Sequence, residues 1–77
     1  MNYTITRMEN YDGTKILNLD QDGNKYMVGF YDKLTSKYTH KKFATLDEAE
    51  AAFLKIAKCF IRCDYSAEDR AKMLLEA

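Results

Sequence analysis

Proline and tryptophan are missing from the 77 residues, glycine occurs three times, cysteine twice and histidine once. Each scarcity excludes something. Three glycines are too few for a loop that cradles phosphate on successive backbone amides. Two cysteines cannot build the disulfide framework of a small secreted domain, so Cys59 and Cys63 read as free thiols. They stand one helical turn apart, a spacing that metal sites use. A tetrahedral centre needs more ligands, however, and His40 is the only imidazole. Cys59 therefore reads as a packing or surface residue and Cys63 as a helix-end residue. Net charge is absent too, with twelve basic residues against twelve acidic ones. No global field steers the chain toward nucleic acid, and the dense acidic surface of a DNA mimic is excluded. There is no apolar run long enough to cross a bilayer, and Met1 leads into Asn2, Tyr3 and Thr4 without an apolar leader. A cytoplasmic protein is expected.

What is present is a globular composition: 47% hydrophobic residues, including six Tyr and four Phe. At this length residues 1–77 form one domain, near the size at which burial only just offsets conformational entropy. It should fold alone or as a homodimer. The basic and acidic residues are mildly polarised, with a small positive excess over residues 1–43 and a matching negative one over 44–77.

Two Asp-Gly steps, Asp12-Gly13 and Asp22-Gly23, punctuate the first half between runs of β-formers. Asn2–Glu9 and Thr14–Asp20 read as a hairpin. Asn24–Asp32 reads as a strand with Tyr26, Val28 and Phe30 on the core face and Met27, Gly29 and Tyr31 on the other. Gly29 signals a bulge or the close approach of a helix. After a polar turn, Lys37–Phe43 carries charge on both sides, as an edge strand does. Thr45-Leu46-Asp47-Glu48 is a capping box opening a helix to about Arg62. Its apolar stripe runs through Leu46, Ala49, Phe53, Ile56 and Phe60, widened by Ala52, Ala57 and Ile61. Asp64-Tyr65 breaks that pattern. Ser66 starts a second helix, with Glu68-Asp69 in its first turn and Ala71, Leu74 and Leu75 on its buried side. The expected fold is α+β: an antiparallel meander of three or four strands with the first helix across one face and a second, short helix at its end (ββββαα).

Few residues suggest chemistry. Asp20-Gln21-Asp22-Gly23-Asn24 has the alternating oxygens of a calcium loop, but Lys25 and Tyr31 stand where an EF-hand needs Gly and Glu, leaving a hairpin turn. No nucleophile elbow occurs, and His40 lies among lysines with no carboxylate neighbour to orient it. No catalytic residue, cofactor or metal ligand is expected. One stretch interleaves cations with aromatics: Lys33, Lys37, Tyr38, His40, Lys41 and Lys42, beside Tyr31 and Phe43. Such a surface contacts phosphates and stacks bases; it equally serves as a solubilising edge, and it lacks an arginine for reading bases. Leu54 sits on a mixed, solvated flank of the first helix, and with Tyr65 and Met73 it is expected to offer a modest apolar patch to a partner.

Tyr26–Phe30 and the run from Lys42 to Ala52, notably Phe43, Thr45, Glu48, Ala49 and Ala52, resemble the arm-site DNA-binding domains of phage tyrosine integrases, whose fold is the ethylene-response type. The resemblance spans residues 26–52. It implies a sheet backed by a helix, with DNA read by basic and aromatic residues on the strands. This chain departs from that pattern, because its first two strands carry Glu9, Asp20 and Asp22, with Asp12 in the turn between them.

Two functions of different class follow. The first is a non-catalytic protein-binding module of the kind phages and mobile elements encode as inhibitors or adaptors, anti-CRISPR proteins among them. The second is a nucleic-acid-binding accessory domain using the basic strand around residues 33–42.

Overall fold

The computed structural model describes residues 2–61 and 67–75. Four strands come first: β1 (Asn2–Glu9), β2 (Lys15–Asp22), β3 (Lys25–Asp32) and β4 (Lys37–Phe43). Two helices follow, α1 (Leu46–Ile61) and α2 (Ala67–Leu75). The strands make one antiparallel sheet in the order β1-β2-β3-β4, so the α+β meander is as the turn signals imply.

Turn chemistry sets the register. In the β1–β2 connection Gly13 takes φ 74°, and the Asp12 carboxylate accepts from both the amide (3.1 Å) and the hydroxyl (2.7 Å) of Thr14. In the β2–β3 connection Asp22 pairs with Lys25, so the two central residues are Gly23 and Asn24. Only the first has positive φ, at 64°, the pattern of a type II′ hairpin turn with Gly leading. The Asp20–Asn24 oxygens thus belong to a strand end and a tight turn. The β3–β4 turn places Ser36 at φ 57°, and Asp32 Oδ1 accepts from the Leu34 amide at 2.9 Å. A register slip between Thr4 and Thr6 makes a bulge at Ile5 in β1.

Alternation then divides the sheet into two faces. Leu17 and Leu19 of β2 with Val28 and Phe30 of β3 are buried under α1, against Ala49, Ala52, Phe53, Ile56, Ala57 and Phe60. The alanines let the helix lie close, and Phe30 meets Phe60 with ring centroids 6.0 Å apart. Thr45 caps α1: its hydroxyl accepts from the Glu48 amide at 3.3 Å and its carbonyl from the Ala49 amide at 3.2 Å.

Three expectations need correction. Ile61 does not widen the buried stripe but is 72% exposed, because it lies two turns beyond Leu54 on the solvent flank of α1. Gly29 marks neither a bulge nor a helix contact: pairing through it is regular on both sides, and it faces away from the helices. The second helix lies beside α1 on the same face, over β3 and β4, with Ala67, Ala71 and Leu75 buried. Arg62, Cys63, the Asp64-Tyr65 break and the Ser66 cap fall outside the described residues. Cys59 is buried in the core.

Candidate functional site

Both helices cover one face of the sheet, so the opposite face is the open one. Register assigns its residues. On the helix-covered side, Lys15, Asp32 and Lys37 stand in one row, Phe30 pairs with Thr39, and Val28 pairs with Lys41. On the open side, Ile16 stands with Tyr31 and Tyr38, Asn18 with Gly29 and His40, and Asp20 with Met27 and Lys42.

That alternation splits the basic strand. Lys37 lies on the helix side, lining with Phe30, Asp32 and Ala71 a cleft of about 10 Å³, room for one water. Lys41 is on the same side, its ammonium 5.6 Å from the centre of the Phe43 ring. Lys33 belongs to the turn. Tyr38, His40 and Lys42 remain together on the open face. The six residues therefore do not form one surface, since neighbours on a strand point to opposite faces.

The open face has its own organisation, centred on Tyr38. Its ring stacks on His40 (centroids 5.2 Å apart, planes at 20°) and meets Tyr31 at 6.5 Å. It lies directly across Gly29. A Cβ added there would collide with the Tyr38 hydroxyl and stand 2.8 Å from Asn18 Oδ1 and 2.9 Å from Tyr38 Cε1. Glycine is needed here for a side chain's passage. Tyr38 is hydrogen-bonded to Asn18, whose amide nitrogen donates to Asp20 Oδ2 at 2.9 Å. Burial raises the Tyr38 phenol above its ordinary value; the bond to Asn18 lowers it in part, and the charge of Asp20 adds to the rise.

Ion pairs flank this centre. Arg7 holds Glu9 at 2.8 Å, and Lys42 reaches diagonally over β3 to Asp22 at 2.9 Å. The hydrogen bond from Lys42, then its charge, lowers the Asp22 carboxyl below the ordinary range. Asp20 is different. It is 9% exposed, and its Oδ1 is buried with no hydrogen-bond partner among the described residues. Composition and motif matching pass over Asn18 and Arg7, and touch Asp20 only as the first oxygen of a calcium-like loop. The signal was the alternation of β2 itself, where Leu17 and Leu19 point to the core and so put Asn18 and Asp20 opposite.

Among the described residues no group of His, Cys, Asp and Glu is placed to hold a metal ion, and no helix is long and apolar enough to cross a membrane. Comparison with family models, with curated proteins and with solved structures found no match.

Proposed function

We propose that the chain is a small non-catalytic binding module, of the inhibitor or adaptor kind that phages and mobile elements encode, and that it grips a protein partner with the open face of its sheet. The supporting observation is the contrast between the faces. One is closed by α1 and α2; the other presents a ridge of Tyr31, Tyr38 and His40 between the ion pairs Arg7–Glu9 and Lys42–Asp22. Tyrosine gives large contact area at little entropic cost, and aromatic centres with polar rims characterise protein interfaces. His40 stacks on Tyr38 rather than lying beside a nucleophile, so its position gives no support to hydrolytic chemistry.

The nucleic-acid reading loses ground on the same geometry. Phosphate binding needs free cations on one surface. Here Lys37 and Lys41 belong to the far face, Lys42 is engaged by Asp22, and Glu9, Asp20 and Asp22 would repel a backbone.

A photo-crosslinking residue in place of His40, compared with one at Leu54 on the outside of α1, tests the assignment in cells that express the protein. A discrete protein adduct from position 40 and none from 54 is expected. Adducts from position 54 alone would move the interface to the helices. Binding of a random DNA duplex that weakens steeply with salt, and that Lys41→Glu with Lys42→Glu abolishes, would replace this function with the second one.

A further inference from the structure

Resting on that protein-binding reading, we propose that the centre of the open face is a seat for an arginine side chain of the partner, with Asp20 supplying the charge and Tyr38 the stacking surface. Asp20 lies on an inner strand, paired with Thr4 on one side and Met27 on the other. A carboxylate this far from water normally has both oxygens bonded, because an unmet buried acceptor is costly. Asn18 serves Oδ2, and nothing among the described residues serves Oδ1. The cations that β1 and β4 bring to this face are committed elsewhere, Arg7 to Glu9 and Lys42 to Asp22. β3 adds Lys25 opposite Asp22, one row beyond Asp20 on the same face, and among the described residues no cation is paired with Asp20 itself.

The surroundings favour a planar cation. The missing side chain of Gly29 leaves a trough on β3, and the Tyr38 ring lies in it, held at its tip by Asn18. The Tyr38 residue is 45% exposed, so its ring is both accessible and attached by one polar contact. A guanidinium that enters the trough displaces the hydroxyl from Asn18, brings its fork to Asp20, and stacks under the ring that has made way. Ammonium has no flat face to stack and is more strongly hydrated, so lysine fits less well.

The test uses the intact protein and N-acetyl-arginine amide as the probe, beside the lysine amide and the uncharged citrulline amide. Saturable shifts of the Asn18, Asp20 and Gly29 backbone amides and of the Asp20 carboxyl carbon are expected, with a dissociation constant on the order of 1 mM. Lysine should act more weakly and citrulline not at all. Asp20→Asn should weaken arginine binding at least about tenfold, whereas Tyr38→Phe, which frees the ring tip, should preserve it. If Asp20→Asn does not fold, the wild-type carboxyl carbon decides the question. An unmoved Asp20 carboxyl, or citrulline acting as strongly as arginine, overturns the seat. A crosslink retained at position 40 would then keep the protein-binding face and remove only the arginine; loss of both would remove both.

Discussion

Single residues on the open face do more than their types advertise. Gly29 carries no turn and no bulge, yet it determines where Tyr38 lies. Gly29→Ala should expel the ring, break its bond to Asn18 and cost about 1 kcal/mol. The check is a urea melt together with loss of the ring-current shifts that Tyr38 and His40 impose on each other. Asp22 makes a different prediction. Its carboxyl is lowered in the folded protein from an ordinary value of 3.8, so its pairing with Lys42 stabilises the fold above that value. The contribution disappears as pH falls through the folded value. Asp22→Asn should lower stability modestly at neutral pH, where the pair is charged, and change little well below about pH 4, so that the acid limb of a stability-against-pH curve is flattened; an unchanged acid limb would show that the pair contributes nothing.

At the scale of elements, capping and alternation carried most of the information. Thr45→Ala removes the acceptor for the Glu48 amide and should lower stability by about 1 kcal/mol, read from thermal or denaturant melting. Strand order, the core faces of β2 and β3, and the start of α1 were legible because Gly13, Gly23, Thr45 and the period-two and period-3.6 patterns act locally. Position 61 was misread although its phase was legible: it stands two turns beyond Leu54, on the same solvent flank of α1. The basic strand was misleading for a related reason. Lys41 and Lys42 are neighbours in sequence and lie on opposite sides of the sheet. Asp20 was hidden because its importance lies in what fails to reach it across the strands, and no short motif records that.

At the scale of the molecule, the core among the described residues is a single layer between one sheet face and two helices. Phe53, which packs into that layer, should cost about 3–5 kcal/mol when replaced by alanine, enough to unfold a large fraction of a domain this small. Circular dichroism on heating checks this, and a melting temperature barely altered would contradict the placement of α1. The same economy separates the sides: the apolar side chains under the helices are committed to the core, and on the other side Tyr38, His40 and Lys42 stay exposed.

The bulge at Ile5 bears on company rather than on shape. A sheet of four strands has two raw margins, each a template that another chain can extend into ribbon. Here β4 offers a row of lysines, and β1 is thrown out of step halfway along its length. Neighbouring molecules are denied a straight margin to zip onto, and under the proposed function the companion is then chosen by side chains on a broad surface and not by backbone.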